Sequence, residues 1–252
     1  MCSVLGIAFD DLNAALDRPV VATVAHRFEE LADVRIESRK PLAYLLHEAW
    51  LGGHRFYVDE RVLVPRSHIA ELLGEELSPW IDSPSEVGRV LDLCTGSGCL
   101  AVLAALAFPD ARIDAADISE AALTVARINV DAYRLQDRLR LVRSDLFGAL
   151  MGERYDLIVS NPPYVDARAM RGLPEEYRHE PTLALAGGVD GLDFVRRILE
   201  EAPDHLTERG NVVVEIGANR AAIEAAYPRL PFVWPATAAG DQEVFMLHHT
   251  DF

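Results

Sequence analysis

Positive charge is scarce in this chain of 252 residues. The 24 lysines and arginines are outnumbered by 40 aspartates and glutamates, which gives a formal net charge of −16 and a pI near 4.8. No run of basic residues is longer than the pairs Arg39-Lys40 and Arg196-Arg197. Proteins that grip duplex DNA or structured RNA normally carry a basic surface, because phosphate neutralisation supplies most of the affinity. The composition therefore argues against stable nucleic-acid binding and favours attraction to a basic partner.

Cysteines and long apolar runs are also lacking. Cys2, Cys94 and Cys99 form neither an even set nor a C-x-x-C pair, and the histidines are scattered, so neither a disulfide framework nor a metal site is predicted. No stretch approaches 18 uncharged apolar residues, and the N-terminus lacks the basic start and cleavage pattern of a signal peptide. These absences predict a cytoplasmic protein without a membrane segment.

The chain is long enough, at 50% apolar residues, to bury a full core. Residues 1–45 contain helical patterns without a chemical motif, and we expect a short, truncated helical module that docks the substrate. Residues 46–70 are a connector in which Gly52-Gly53 predicts a hairpin. The main domain is expected over residues 71–252.

A glycine turn lies between a strand-like and a helix-like segment. The run 89–93 is apolar enough for a buried strand, residues 94–98 include Gly96 and Gly98, and an Ala/Leu-rich helix follows. The glycines permit positive φ and close approach of a ligand, while the helix N-terminus offers free N–H groups. Nineteen residues after Gly98, Asp117 ends a second strand-like run and could accept both ribose hydroxyls. The turn alone could serve NAD or only a tight bend, but with Asp117 it predicts an adenosine cofactor.

A third strand-like run, residues 138–143, is followed by Ser144, Asp145, Leu146 and Phe147. Asp145 could accept from an adenine amino group while Leu146 and Phe147 cover the ring faces. A turn aspartate that caps the next segment would be the ordinary alternative. The position of Asp145 in the series of strand ends favours the cofactor role.

The sequence Asn161-Pro162-Pro163-Tyr164 follows a fourth apolar run, residues 155–160. Two prolines cannot continue a strand, so the chain must leave the sheet at its carboxyl end, where open α/β sheets bind ligands. A planar amino group would be matched by the Asn161 side-chain oxygen, the Pro162 carbonyl and the Tyr164 ring. Two fixed acceptors on its hydrogens would orient the lone pair of its nitrogen. An isolated Asn-Pro-Pro is commonly a plain loop, so this prediction depends on the preceding motifs.

The remaining sequence alternates between strand-like and helix-like segments. About 25 residues after Tyr164 lack periodicity, and a connection of that length is more often functional than not. The later elements are predicted as a helix over 192–205, a strand over 211–217, a helix near 220–226 and closing strands near 232–234 and 243–247. Seven strands alternating with helices predict an α/β fold.

These motifs together resemble the class I S-adenosylmethionine-dependent methyltransferases, and within them the protein-(glutamine-N5) methyltransferases that carry Asn-Pro-Pro-Tyr. The resemblance runs from about Leu42 to the end of the chain. Residues 56–67, 92–99 and 173–181 are most similar to the branch that methylates a glutamine of large-subunit ribosomal protein L-three. The related release-factor methyltransferases typically have glycine where Cys94 stands and lack the Tyr-Arg-His-Glu-Pro sequence.

This resemblance implies a fold, a cofactor and a partner. The fold is a Rossmann-like seven-stranded sheet with helices on both faces and an antiparallel last strand, and the cofactor is S-adenosyl-L-methionine. The glutamine amide nitrogen would attack the sulfonium methyl in one in-line displacement, without a covalent enzyme intermediate. The implied partner is a basic ribosomal protein of the large subunit, methylated before assembly, which agrees with the acidic charge of the chain.

The family's contacts carry over to matching positions. Its methionine-binding turn corresponds to Cys94, Thr95, Gly96, Ser97 and Gly98. Its ribose acceptor corresponds to Asp117, its adenine wall to Asp145 and Leu146, and its substrate-amide ligand to Asn161 within Asn161, Pro162, Pro163 and Tyr164. Pro65 and Arg66 lie in a segment that folds over the cofactor pocket in the family, although an extended connector with an exposed arginine is an alternative.

Three other functions stay open from the sequence. A nucleic-acid adenine or guanine N-methyltransferase could use the same Asn-Pro-Pro-Tyr site for an exocyclic amine, although the acidic charge argues against it. A release-factor glutamine methyltransferase would differ only in its docking surface. A non-catalytic ribosome-assembly module is conceivable because the N-terminal region is short.

Overall fold

The fold is described by a computed structural model that covers residues 19–238 and 240–252. The first 18 residues of the predicted docking module lie outside this description. Two helices follow, α1 over Ala22–Ser38 and α2 over Leu42–Leu46. Helix α1 buries no side chain, whereas α2 is anchored by Tyr44, whose hydroxyl donates to the Val62 carbonyl at 2.5 Å.

The predicted hairpin forms next. Strands β1 (Ala49–Leu51) and β2 (His54–Phe56) pair antiparallel around Gly52 and Gly53, whose φ angles are 56° and 76°. Glycine adopts such left-handed angles without steric cost, which is why this pair of residues makes the turn.

The central sheet contains six strands in the described residues, in the order β5-β4-β3-β6-β7-β8. Their bounds are β3 Arg89–Leu93, β4 Arg112–Asp117, β5 Leu139–Arg143, β6 Tyr155–Ser160, β7 Leu206–Glu215 and β8 Val244–His248. All neighbours are parallel except β7 and β8, which are antiparallel. The inner strands are nearly continuous apolar runs because helices cover both faces of the sheet.

Six further helices surround the sheet in the same part of the chain. They are α3 Ile69–Gly74, α4 Cys99–Ala107, α5 Glu120–Ala132, α6 Ala167–Met170, α7 Asp193–His205 and α8 Arg220–Ala226. Helices α3 and α4 pack against one face of the sheet, and α7 and α8 pack against the other. No helix in the described part of the chain combines the length and the apolar character that spanning a bilayer requires.

The predicted α/β fold with helices on both faces is confirmed, and the last strand is antiparallel as expected. The segment predicted as a strand over 232–234 differs, because only an isolated antiparallel bridge joins Val233 to Met246. Pro231 and Pro235 flank this segment and have no N–H group to extend a ladder.

Strand order reverses at β3, whose neighbours are β4 on one side and β6 on the other. The connections after β3 and β6 therefore run to opposite faces and leave a crevice at the carboxyl ends of the strands. The glycine turn and the Asn-Pro-Pro-Tyr turn both begin at this crevice.

Candidate active site

A cavity of about 230 Å³ opens at the carboxyl ends of β3 to β6. The predicted site residues that line it are Cys94, Gly96, Asp117, Asp145, Leu146, Asn161 and Pro163. The predicted residues outside its lining are Thr95, Ser97, Gly98, Pro162 and Tyr164. The structure thus brings motifs from four strand ends to one cavity, while the remaining predicted residues support the turns.

The glycine turn after β3 has a backbone shape that few side chains tolerate. Gly96 and Gly98 have φ angles of 55° and 78°, and Cys94 has a φ of 59°. A Cβ atom at Gly98 would lie 3.1 Å from the Cβ of Ala126, so glycine lets α5 approach the turn. Gly98 is also the N-cap of α4. The turn is therefore fixed both by its own backbone and by the two helices around it.

Asp92, in β3, anchors this turn from below. Its Oδ2 accepts hydrogen bonds from the Thr95 hydroxyl at 2.6 Å and the Ala101 N–H at 3.0 Å. Its Oδ1 is the one buried side-chain polar atom in the described residues without a hydrogen-bond partner. Burial raises the pKa of Asp92 to about 7. Asp92 is not part of the cavity lining, so its carboxyl supports the glycine turn from within the core.

Asp117, at the end of β4, presents two ordered acceptors to the cavity. Its Oδ2 accepts from the Gly96 N–H and its Oδ1 from the Ser119 N–H, both at 2.9 Å. Burial raises the pKa of Asp117 above its usual value. Each oxygen keeps a lone pair beyond its backbone hydrogen bond, so the carboxylate can accept from two adjacent hydroxyls.

Another part of the cavity combines apolar walls with one carboxylate. Leu146, at φ 46°, is buried, and Ile118 and Phe194 also line the cavity. The Asp145 Oδ1 accepts from Arg197 Nη1 at 2.8 Å, which leaves its second oxygen available. This combination is suitable for a flat heteroaromatic ring that carries an amino group.

The expectation that Phe147 covers a face of the adenine ring is wrong. Phe147 is 1% exposed and stacks on His205, with ring centroids 4.5 Å apart. It belongs to the core between the sheet and α7. Adjacent residues after a strand commonly point in different directions, so Leu146 reaches the cavity whereas Phe147 fills the interior.

The orientation of the Asn161 side chain is set by one hydrogen bond. Its Nδ2 donates to the Arg66 carbonyl at 3.0 Å. The Oδ1 atom makes no hydrogen bond within residues 19–238 and 240–252, and Asn161 lines the cavity. The Pro162 carbonyl is likewise without a donor in the described residues. Two acceptors in adjacent residues are therefore unoccupied: the side-chain oxygen of Asn161, a residue that lines the cavity, and the carbonyl of Pro162, a residue that does not.

Tyr164 is held by three glycines, at positions where any Cβ atom would collide. A Cβ at Gly187 would lie 2.7 Å from the Tyr164 Cα, and one at Gly191 would lie 2.5 Å from the Tyr164 carbonyl oxygen. A Cβ at Gly217 would lie 2.7 Å from the ring. The side chain of Asn219 also donates to the Tyr164 carbonyl at 3.0 Å. These contacts make the Asn-Pro-Pro-Tyr turn rigid.

The long segment after Tyr164, which the sequence indicated only as functional by its length, borders one side of the cavity. A parallel bridge between Val165 and Ala186 returns the chain to the turn. Pro181, Leu183 and Ala184 then line the cavity. The segment is therefore a wall of the site.

The segment 61–68, which we call the strap, borders the cavity. Its first residues, Arg61, Val62 and Leu63, line the cavity. The resemblance predicted that the segment containing Pro65 and Arg66 folds over the pocket. Within this segment, the Arg66 side chain forms a bidentate pair with Glu180, and the Arg66 carbonyl accepts from Asn161. The pocket lining includes neither Pro65 nor Arg66.

Several lining residues were not identified from the sequence. They are Arg61, Val62, Leu63, Ala116, Ile118, Ser119, Ala122, Ser144, Pro181, Leu183, Ala184, Phe194 and Arg197. Residues 61–63 and 181 lie inside the stretches that carried the family resemblance, so those stretches contained a usable signal. Phe194 and Arg197 belong to an amphipathic helix whose pattern indicates only which face is buried. Across the described ranges, no three His, Cys, Asp or Glu side chains are grouped so that they could hold a metal ion.

The fold and this cavity define a class I methyltransferase. The family model described as "Methyltransferase small domain" matches residues 70–173. A methyltransferase from Pyrococcus furiosus shares the fold, with a TM-score of 0.55 and 16% identity, covering 89% of this chain and 98% of that chain.

Similar proteins of known name identify the family within this class. The ribosomal protein uL3 glutamine methyltransferase of Bordetella pertussis is 56% identical over 238 residues, which are 94% of this chain and 80% of the relative. The protein of the same name from Burkholderia pseudomallei is 51% identical, covering 98% of this chain and 83% of the relative. The chain belongs to the ribosomal protein uL3 glutamine methyltransferase family.

Proposed function

We propose that this enzyme transfers a methyl group from S-adenosylmethionine to the side-chain amide nitrogen of a glutamine in ribosomal protein uL3. The products are N5-methylglutamine and S-adenosylhomocysteine. The observation that carries the proposal is Asn161, a residue that lines the cavity and whose Nδ2 donates to the Arg66 carbonyl, which leaves its Oδ1 acceptor free. Membership of the uL3 glutamine methyltransferase family supports both the reaction and the substrate.

We propose that the residues predicted from the motifs bind the cofactor. Asp117 would hold the ribose hydroxyls, Asp145 and Leu146 the adenine, and the turn from Cys94 to Gly98 the methionine part. Asp117 lines the cavity, and its two oriented carboxylate oxygens fit the ribose hydroxyls of a nucleoside ligand. When bound, S-adenosylmethionine supplies an electrophilic methyl group on a sulfonium, which is a good leaving group.

The protein's own residues then act on the glutamine. An amide nitrogen is a poor nucleophile because its lone pair is delocalised into the carbonyl. Asn161 Oδ1 and the Pro162 carbonyl would each accept a hydrogen bond from one N–H of this amide. These two bonds would orient the nitrogen lone pair and favour a pyramidal nitrogen. Burial and the charge of Glu215 raise the pKa of Tyr164, so its hydroxyl stays protonated beside the turn. The amide proton can leave to water after transfer, so the residues around Asn161 need not include a general base.

Free uL3, before ribosome assembly, is the substrate form we propose. The net charge of −16 would attract a basic protein and repel folded RNA. For the same reason we propose that the enzyme does not bind nucleic acid stably. A cytoplasmic site of action stays a prediction.

The division of the chain into three parts also remains a proposal. We propose that residues 19–45 form the described part of a docking module for uL3. Helix α1 leaves large apolar side chains exposed, among them Phe28 and Ile36, at 44% and 70%. Its last turn is joined to the wall of the cavity by Arg35 and Arg39, which both pair with Glu176. A partner on α1 would thus lie on the same side of the molecule as that wall.

A labelling experiment tests the proposed function. The enzyme is incubated with methyl-labelled S-adenosylmethionine and ribosomal protein extract from cells that lack this methylation. We expect the label in uL3, on a glutamine side chain identified by peptide mass spectrometry. Label in a release factor and not in uL3 would assign the enzyme to the related substrate class, and label in RNA would overturn the protein-glutamine assignment.

A further inference from the structure

Rotation of the Asn161 amide group decides whether the site can receive an amide nitrogen. A half-turn about the last side-chain bond would exchange the Oδ1 acceptor for the Nδ2 donor and present the wrong group to the substrate. The hydrogen bond from Nδ2 to the Arg66 carbonyl selects the productive orientation. The position of that carbonyl is therefore a requirement of the chemistry, and the inference that follows rests on the proposed function.

No backbone ladder fixes this carbonyl, because residues 63–67 belong to no strand or helix. The Arg66 side chain supplies the anchor. Its Nη1 and Nη2 donate to the two oxygens of Glu180, each at 2.7 Å. Its guanidinium also lies over the Tyr177 ring, 5.0 Å from the centroid. A bidentate pair fixes the angle of the guanidinium as well as its distance, so it limits rotation of the strap.

Glu180 is itself rigidly placed. It is 7% exposed, and its Oε1 also accepts from the Val64 N–H at 3.4 Å. Pro181, the next residue, lines the cavity. Glu180 and Arg66 do not line it, so their contribution comes through the strap and not through contact with a ligand.

A second anchor lies on the other side of the carbonyl. Ser67 Oγ and the His68 N–H donate to Glu215 Oε2, at 2.6 and 2.9 Å. Because Ser160 pairs with Val214 in the sheet, Glu215 is the neighbour of Asn161 across the strand ends. The strap is thus hydrogen-bonded at the ends of the two adjacent strands β6 and β7, beside the proposed position of the substrate amide.

We propose that Glu180 is a positioning residue for the methyl transfer, which acts through Arg66 to hold the carbonyl that orients the Asn161 amide. The contact joins residues 114 positions apart in the chain. Through this contact, the segment after Asn-Pro-Pro-Tyr would orient the Asn161 amide as well as border the cavity.

Kinetics of Glu180→Gln and Arg66→Lys test the proposal. Both variants keep a side chain of similar size but remove the fork-to-carboxylate geometry. We expect kcat to fall roughly tenfold or more, with KM for uL3 and the affinity for S-adenosylmethionine within about twofold, because misalignment affects the reacting geometry most. Arg66→Lys is the second variant in case Glu180→Gln folds poorly. A loss confined to KM, or no loss in either folded variant, would overturn the proposal.

Asp114 offers a matched control at the opposite end of the sheet. Asp114 is 6% exposed, and its carboxylate binds the Arg140 fork at 2.8 Å on each oxygen. Its Oδ2 also accepts from the Tyr155 hydroxyl at 2.8 Å and from Arg89 Nη2 at 3.2 Å. Asp114→Asn should reduce the thermal midpoint at least as much as Glu180→Gln but leave kcat within about twofold, since it disrupts a buried arginine–carboxylate pair that does not contact Asn161. Equal kcat losses in the two variants would show a general effect of stability and would count against the proposal.

The route through Asn161 is tested in the Asn161→Ala background by single-turnover labelling. If Glu180 acts by orienting this amide, Glu180→Gln should cause less than about twofold further loss there. The full tenfold loss in that background would mean that Glu180 acts by another route.

A readout without substrate separates this proposal from the function assignment. Hydrogen exchange of the Asn161 side-chain NH2, followed by NMR, should be slowed in the wild type by the bond to Arg66. Exchange should accelerate about tenfold in Glu180→Gln and stay unchanged in Asp114→Asn, because exchange follows the opening of the bonded contact. Unchanged exchange in Glu180→Gln overturns the positioning role whatever substrate is methylated, whereas absence of uL3 methylation by the wild type overturns only the function.

Discussion

At the scale of single residues, the Asn161 amide has a donor bound to the Arg66 carbonyl and an acceptor that we propose receives the substrate amide. Asn161→Ala should lower the rate of methyl transfer by roughly a hundredfold or more, because the lost acceptor mainly positions the attacking nitrogen. Cofactor affinity should stay within a few-fold, as measured by calorimetry beside a single-turnover assay. Transfer near the wild-type rate would contradict the amide clamp, and a fall in cofactor affinity alone would reassign the residue.

Asp117 is expected to act on the cofactor and not on the glutamine. Its two oxygens are already oriented by the Gly96 and Ser119 amides, so they are prepared to accept ribose hydroxyls. Asp117→Ala should weaken S-adenosylmethionine binding by about 1–3 kcal/mol, the scale for leaving hydrogen-bonding groups unpaired. Calorimetry that finds the wild-type affinity would remove Asp117 from the site.

Asp92 makes a pH-dependent contribution to stability. Its folded pKa of about 7 lies above the ordinary value of 3.8, so the folded state holds the proton more tightly than the unfolded state. That contribution is fully present below pH 3.8 and is lost as the pH rises through about 7. The free energy of unfolding of Asp92→Asn, minus that of the wild type, should therefore increase between pH 5 and about 8 and then level off. Urea unfolding at several pH values measures it; a difference that is constant with pH would show that Asp92 is ionised throughout.

At the scale of elements, the Asn-Pro-Pro-Tyr turn depends on close approach of the chain beyond β7. Gly217 has a φ of 52°, and a Cβ there would be 2.7 Å from the Tyr164 ring. Gly53→Ala is the matched control, since Gly53 has a φ of 76° and nothing within 4 Å of an added Cβ. Gly53→Ala should cost about 1–2 kcal/mol of left-handed strain alone.

Gly217→Ala should lower the free energy of unfolding by the same strain plus about 1–3 kcal/mol for the clash with the ring. It should also lower kcat, because the ring and the turn shift together. Urea unfolding and labelling assays on both variants measure the two effects. Equal stability of the two variants would show that Tyr164 moves aside without cost.

Local patterns predicted most of the elements. Strands β3, β6 and β7 are apolar runs followed by glycine or proline, and the helices 193–205 and 220–226 have the expected period. The prediction of a strand over 232–234 was wrong. Its apolar residues suggested a strand, but the flanking prolines limit its pairing to one bridge. Short segments between prolines are decided by available backbone donors and not by hydrophobicity.

The site was predictable where its residues lie directly at strand ends. Cys94, Asp117, Asp145 and Asn161 each follow or end a strand, so the topology alone carries them to one edge of the sheet. The pairing of Arg66 with Glu180 was not predictable, because its two partners lie in irregular segments 114 positions apart. Neither periodicity nor turn chemistry constrains such a contact.

At the scale of the whole molecule, the net charge of −16 is the property most relevant to substrate choice. Exposed complementary charges steer association and are screened over about 8–10 Å near physiological ionic strength. Capture of a basic ribosomal protein should therefore slow as salt is raised. In an assembled subunit, RNA phosphates around the same protein would repel the acidic enzyme.

The most direct test of the account compares three acceptors: free uL3, intact large subunits that lack the methylation, and protein-free ribosomal RNA. Methyl incorporation is measured for each at low and at physiological salt, with Asn161→Ala as the blank. The account predicts the fastest incorporation into free uL3, a lower rate for it at the higher salt, little into assembled subunits and none into RNA. Label chiefly in the RNA, or equal labelling of free and assembled uL3 at both salt concentrations, would contradict it.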